Sequence, residues 1–232
     1  MINTNVVQAT SNYSEPDSQQ KSVVGRLSII IDDKIINGTI FHIGNGICLT
    51  AGHCFKNLSH GNIINNSFVE FSIGVPQQQL RTLINEIILI DVNLDLAVLR
   101  LAIVPTQALK LSPKDCANGE DVFMIHYPQG GNIKKSDNGV ATIMDFGRGD
   151  GEVGNIAMYE GSEYFRSTCT TEPGSSGAPI FSLQDSNKVI GIHVRGDGRG
   201  TQNIHAAIKI SEIKKKLEIC LTPRTKRAVL LI

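Results

Sequence analysis

Three short stretches of this chain bring together the residue types that chemistry at a carbonyl carbon needs. Leu49-Thr50-Ala51-Gly52-His53-Cys54 places an imidazole among small residues after an apolar run, and Asp95-Leu96-Ala97-Val98-Leu99-Arg100-Leu101 opens a hydrophobic run with a carboxylate. Gly174-Ser175-Ser176-Gly177-Ala178-Pro179 sets a serine between glycines, in a turn. A serine hydroxyl becomes a nucleophile only when a base takes its proton, and imidazole titrates in the right range to do so. A buried carboxylate then holds that imidazole in one tautomer and stabilises the imidazolium that forms. Glycines flanking the serine let backbone N–H groups converge on a developing oxyanion. The parts are therefore His53 as base, Asp95 as the orienting acid, Ser176 as nucleophile, and the N–H groups of Gly174 and Ser176 as oxyanion hole. Cys54 beside His53 does not make a metal pair, because neighbours on one strand face opposite ways. No metal and no cofactor is expected.

These residues need rigid elements to hold them, and the chain supplies mostly strands. Short β-type runs recur between Gly, Asn, Pro and Asp: Val23-Ile31, Thr39-Ile43, Ile47-Thr50, Phe68-Ile73, Ile84-Ile90 and Leu96-Leu101. After a polar break at Ser112-Lys114 they resume as Asp121-Ile125, Gly139-Met144, Tyr164-Ser167, Ala178-Ser182, Lys188-Val194 and Asn203-Ile208. This spacing predicts an all-β fold, with a set of strands on each side of residue 115 forming a barrel. One helix is expected, Ser211 to Leu221, capped by Ser211, with Glu212 in its first turn. Its apolar stripe is Ile213, Leu217, Cys220 and Leu221, and Lys214-Lys216 falls mostly on a solvated face. The expected organisation is an arm over residues 1–21, Asn/Ser/Gln-rich and without periodicity, and barrels over 22–114 and 115–210. A C-terminal helix and tail follow over 211–232. Gly196-Asp197-Gly198-Arg199-Gly200 reads as a hairpin loop.

Composition narrows the class. The chain has 232 residues, 22 Lys+Arg against 22 Asp+Glu, and 41% hydrophobic residues. That balance predicts a packed core and gives no whole-molecule pull toward nucleic acid or an anionic membrane. No apolar run approaches the ~20 residues of a membrane span. The first twenty residues carry no basic cluster and no apolar core of a secretory signal, so cytoplasmic residence or non-classical export is expected. The five cysteines are odd in number and scattered, and read as small buried hydrophobes rather than a disulfide framework. A monomer is expected.

The three stretches resemble the chymotrypsin-fold serine proteases, whose triad runs His, Asp, Ser along the chain. TAGHC is similar to that family's histidine motif, DLAVLRL to its aspartate strand, and GSSGAP to its serine loop. The resemblance spans roughly residues 22 to 212. It implies a fold of two six-stranded antiparallel β-barrels with the site in the cleft between them, and endopeptidase activity. The DLAVLRL register selects Asp95 over Asp91, which reads as an exposed loop acid.

Val24-Gly25-Arg26-Leu27, Tyr127-Pro128, Thr171 and Gly191-Ile192-His193 resemble the bacterial glutamyl endopeptidases. The GIHVRGDG stretch with HAAIK also resembles viral chymotrypsin-like cysteine proteases. Both resemblances imply that His193, helped by Thr171, reads the side chain before the scissile bond. An imidazole can donate to a carboxylate or an amide oxygen, so cleavage after Glu is expected, with Gln or Asp as alternatives. The substrate would add as a strand along His193-Val194-Arg195-Gly196, and Arg195 could add positive potential. His42, His60, His126 and His205 have no partner motif and read as structural or exposed. The sequence departs from the animal enzymes of this family in lacking the cysteine that pairs with the one after His53, since Asn37 and Gly38 stand in that neighbourhood. It also lacks an acid directly before Ser176. A catalytically silent binding module on the same fold is the alternative. An esterase is a weaker one, because its usual Gly-x-Ser-x-Gly elbow is absent.

Overall fold

The computed structural model describes residues 13–73, 78–142, 162–196 and 205–230. Six antiparallel strands close the first barrel: β2 (Val24–Ile31), β3 (Lys34–Gly44), β4 (Ile47–Ala51), β7 (Leu96–Leu101), β6 (Gln78–Asp91) and β5 (Ser67–Ile73), in that spatial order. The second runs β9 (Asp121–His126), β10 (Lys134–Thr142), β11 (Tyr164–Ser167), β14 (His205–Lys209), β13 (Lys188–Gly196) and β12 (Pro179–Ser182), closing as β12 returns to β9. Closure removes the unpaired strand edges that an open sheet would expose. The all-β fold expected from strand spacing is the fold observed, and its two six-stranded barrels are those implied by the resemblance to the chymotrypsin-fold proteases.

Alternation of side chains explains the register. In β6, Thr82 and Ile84 are buried while Arg81, Leu83 and Asn85 are exposed, the period-2 pattern of a strand with one face on a core. The first barrel buries Leu27, Phe41, Leu49, Phe71, Val98 and Leu99, and the second centres on Met124, Phe165, Cys169 and Ile180. Four of the cysteines (Cys48, Cys54, Cys116 and Cys169) are buried, as expected of small apolar side chains.

Several elements differ from expectation. The strand expected to begin at Thr39 starts at Lys34, because Asp32 and Asp33, with φ of 46° and 60°, close a two-residue hairpin that pairs Ile31 with Lys34. β6 extends back to Gln78, whose polar end pairs with β5 through contacts such as Glu70 opposite Arg81. Beyond the N-terminal arm, two helices were not expected, α2 (His60–Asn66) and α4 (Pro223–Leu230); Ser59 accepts the Asn62 N–H at the start of α2, and Pro223 opens α4. The anticipated C-terminal helix α3 spans Ile210–Cys220, one residue early, and Ser211 does not cap it. Asp115, from the connection between the barrels, accepts both the N–H and the hydroxyl of Ser211 instead.

Within the expected arm, the described residues from Tyr13 are ordered. Tyr13–Ser14 form strand β1 against β10, and Ser18–Val23 form helix α1. Asp17 accepts the Gln20 N–H at 2.7 Å while the Gln20 side chain accepts the Asp17 N–H, so D-S-Q-Q is a capping box. Residues 1–12 and the loop call over 197–200 lie outside the described residues. No helix among the described residues is long and apolar enough to cross a membrane.

Candidate active site

The three stretches meet at the seam between the barrels. His53 sits in a short 3-10 turn, Gly52–Phe55, directly after β4. Asp95 ends the turn between β6 and β7, and Ser176 stands just ahead of β12. His53 Nδ1 lies 2.8 Å from Asp95 Oδ2, and His53 Nε2 lies 2.9 Å from Ser176 Oγ. A carboxylate only accepts, so Nδ1 carries the proton and Nε2 presents a lone pair to the serine hydroxyl. Asp95 Oδ1 also accepts the His53 N–H at 2.6 Å, so one carboxylate fixes both the backbone and the ring of the histidine. Asp95 is buried and the His53 side chain is about a third exposed, so the imidazole opens to solvent while the carboxylate does not.

The turn that presents Asp95 is built by Asp91. Asp91 Oδ1 accepts the N–H groups of Asn93 and Leu94, each at 3.0 Å, and Oδ2 pairs with Lys216 Nζ of α3 at 2.5 Å. The Asp91 side chain is only 11% exposed, which corrects the expectation of an exposed loop acid, and Lys216 is likewise not merely solvated. Burial works against its ionised form, yet the bonds from Lys216, Leu94 and Asn93 hold the Asp91 carboxyl below its ordinary range.

The serine turn is locked by backbone geometry that needs glycine. Gly174 has φ of +96° and Gly177 of +87°, and a Cβ on either would collide with backbone, the Tyr127 carbonyl and the Thr39 carbonyl respectively. The Pro173 carbonyl accepts the Gln129 N–H at 2.5 Å. In a trans peptide the C=O and N–H point oppositely within the plane, so this bond turns the Gly174 N–H away from Gln129, toward the opposite edge of the peptide. Gln129 itself adopts φ of +54°, which costs a non-glycine residue about 1–2 kcal/mol.

Thr39, in the first barrel, holds this turn and was not singled out by sequence. Its N–H donates to the Ser176 carbonyl at 2.8 Å. Its hydroxyl donates to the Gly174 carbonyl at 2.8 Å and accepts the Tyr127 N–H at 3.1 Å. Thr39→Val preserves shape and removes both hydroxyl bonds. It is expected to lower kcat about 10- to 100-fold, the scale of one or two lost bonds to a preorganised turn. Steady-state kinetics alongside a thermal melt checks this; an unchanged kcat would free Thr39 of any positioning role.

A buried group of imidazoles lies behind the serine. The His193 ring stands edge-on to the His205 ring at 5.8 Å, and the Thr171 hydroxyl lies 3.3 Å from each His205 ring nitrogen. Thr171 thus packs on His205, a residue the sequence left among structural histidines. Among the described residues, His193 Nδ1 and Arg195 Nε are buried and have no hydrogen-bond partner. β13 bulges between His193 and Arg195, which shifts the alternation at Val194 and re-aims the side chains there. His126 bonds Ser175 Oγ through Nδ1 at 2.7 Å, and Ser175 Oγ accepts the Glu172 N–H. Serine and imidazole fill the place where the sequence showed no acid before Ser176. His42, by contrast, is structural, bonding the Gln107 carbonyl and the Gly46 N–H.

Burial pushes the His126 imidazole down from 6.5 to about 4, against the nearby charge of Glu172, and pushes His193 well below its ordinary value. An unfolded chain protonates these rings near pH 6.5. Between that pH and about 4 the unfolded state binds the additional proton at His126, so this stabilisation is complete above 6.5 and fades as the pH falls. At pH 5 the loss from His126 alone is roughly 2 kcal/mol. Urea midpoints at pH 7.5 and 5 should show this drop, and His126→Asn should flatten it; a variant curve as steep as wild type would exonerate His126.

Residues 38–192 match the trypsin-like peptidase domain family. No curated protein matches this chain. Among solved structures, a protease from M. tuberculosis in its active form is 20% identical, covering 86% of this chain and 81% of that one with a TM-score of 0.63. A serine endoprotease from Yersinia pestis is 15% identical over 89% of this chain and 68% of that one, with a TM-score of 0.62. An inactivated protease paralogue from the scabies mite is 13% identical over 89% and 99%, with a TM-score of 0.66. At such identities these structures share the fold.

Proposed function

The chain belongs to the trypsin-like peptidase family and is a serine-type endopeptidase, and from that premise we propose that His53, Asp95 and Ser176 are its catalytic triad and that it cleaves after Glu. Its substrates are proteins or peptides. The observation that carries the reading is the unbroken chain from Asp95 Oδ2 through His53 to Ser176 Oγ, with bonds of 2.8 and 2.9 Å. Ser176 Oγ attacks the scissile carbonyl as its proton passes to His53 Nε2. The tetrahedral oxyanion lies against the N–H groups of Gly174 and Ser176. Collapse expels the amine, which takes the proton back from His53, and water then repeats the sequence to release the acid product. Asp95 holds the imidazolium through its bond from Nδ1–H.

Labelling with a fluorophosphonate tests the nucleophile directly. A single adduct on Ser176 is expected, and persistent silence of a folded, pure protein would overturn the triad in favour of a binding module.

Preference for Glu rests on two residues with separate roles. Buried His193 is neutral, and a neutral imidazole can donate one hydrogen bond to a carboxylate or to an amide oxygen, so by itself it admits both Glu and Gln. Discrimination of Glu from Gln falls to the cation of Arg195, whose Nε is buried beside the strand on which the substrate would add. His193→Ala is expected to impair peptide cleavage far more than acylation by a small active ester. Arg195→Gln is expected to shrink the Glu-to-Gln ratio of kcat/KM about tenfold, the effect of one partly screened charge. Cleavage-site mapping on a peptide library reads both. A wild-type enzyme indifferent to the residue before the bond would end the Glu reading, and an unchanged ratio in Arg195→Gln would end the role of Arg195.

A further inference from the structure

The segment ahead of the first barrel reaches across to the serine turn of the second. β1 pairs Tyr13 with Ser136 and Ser14 with Lys135, which brings the Tyr13 ring to 5.4 Å from the His126 ring. The Tyr13 hydroxyl donates to Glu172 Oε1 at 2.8 Å, across 159 residues of chain. The other oxygen, Glu172 Oε2, accepts from the Gln129 side chain at 2.5 Å. The backbone N–H of that same Gln129 holds the Pro173 carbonyl, and with it the Pro173–Gly174 peptide plane. Glu172 also donates its N–H to Ser175 Oγ and accepts the Ser175 N–H at its carbonyl. Glu172 is therefore the common anchor, its carboxylate holding Tyr13 and Gln129 and its backbone holding Ser175, and Tyr13 is the only hydroxyl of the leading segment that reaches that carboxylate among the described residues.

We infer that Tyr13 is a positioning residue for this protease: through Glu172 and Gln129 it sets the direction of the Gly174 N–H, so the segment before the barrels is part of the working site. The inference rests on Ser176 being the nucleophile and Gly174 an oxyanion donor. The segment is anchored independently of Tyr13. Glu15 pairs with Lys21 at 2.8 Å and with Lys134 at 3.4 Å, Asp17 caps α1, and Val23 is fully buried. Loss of the Tyr13 hydroxyl alone should therefore leave the segment in place and release only the carboxylate. Burial, with the bond and charge of Glu172, raises the Tyr13 phenol above its usual range, so it stays a donor across the working pH.

The effect belongs in kcat and not in KM, because the oxyanion hole engages a charge that exists only once the carbonyl has been attacked. Full-length Tyr13→Phe, Glu172→Ala and the double variant are compared for kcat and KM on one peptide substrate, for fluorophosphonate labelling rate, and for thermal unfolding. Tyr13→Phe should lower kcat and labelling about tenfold with KM within about twofold. Glu172→Ala should lose more, and adding Tyr13→Phe to it should cost less than about twofold further, since the path is already cut. Wild-type kcat in Tyr13→Phe overturns the inference, as does a tenfold loss that persists in the Glu172→Ala background, or a loss that follows only the fraction folded. The outcomes separate from those of the triad reading. A wild-type protein that labels at Ser176 while Tyr13→Phe matches it refutes only the brace, whereas a wild-type protein that never labels refutes both.

Discussion

Ser176→Ala should lower peptide turnover about a millionfold, the loss seen when a triad nucleophile is removed and the rest of its site remains. The hydroxyl removed is the one 2.9 Å from His53 Nε2, and alanine offers no other atom able to form the acyl bond. The change should spare the fold. What holds the turn is the Ser176 carbonyl, bonded to the Thr39 N–H, and the neighbouring Gly177 N–H, bonded to the His193 carbonyl, and the side chain takes no part in either. Residual activity of about 10³–10⁴ over water would come from the oxyanion donors and from binding. The measurement is kcat on a peptide substrate with purified variant, together with a melt that should match wild type. Turnover within tenfold of wild type, in material shown free of other proteases, would remove Ser176 from the chemistry.

The site was legible where local chemistry specified it and hidden where the fold supplied it. His53, Asp95 and Ser176 stand on strand ends and a glycine turn, so residue type, element boundary and the family resemblance singled them out, and the structure brings the three side chains within hydrogen-bond distance. Twelve strands could be placed because alternation and turn residues are written locally, and among the described residues the differences lie at their ends. The Asp32-Asp33 hairpin was missed because left-handed backbone at both positions is usually announced by Asn-Gly, whereas aspartate tolerates it more quietly. Thr39, Glu172 and His126 were unreadable for a different reason. Each acts through a partner many tens of residues away, and nothing local in a Thr within a strand says that its hydroxyl faces another barrel. Asp91 was misjudged on the same ground, since Lys216 comes from a helix at the far end of the chain. The capping box at Asp17-Gln20 was a local signal in plain view, and polar composition obscured it.

Asp95→Asn should cost about 10⁴ in kcat, and the reason is a tautomer rather than a charge alone. Asp95 accepts two bonds from one histidine, at Oδ1 from the backbone N–H and at Oδ2 from Nδ1–H. An asparagine has one oxygen and one NH₂ group. If the NH₂ faced the backbone N–H, two donors would meet at 2.6 Å with no escape, because that N–H is fixed by the 3-10 turn. The oxygen must therefore take the backbone position and the NH₂ must face Nδ1. Nδ1 then becomes the acceptor, the proton moves to Nε2, and His53 presents a donor to Ser176 where a base is required. The same geometry predicts normal assembly, since the amide replaces the carboxylate atom for atom and the turn held by Asp91 is untouched. A proton NMR spectrum should show the low-field Nδ1–H resonance of wild type lost in the variant, while the melting temperature changes little. Full kcat in Asp95→Asn, or a retained Nδ1–H signal, would show that His53 does not depend on this acid for its tautomer.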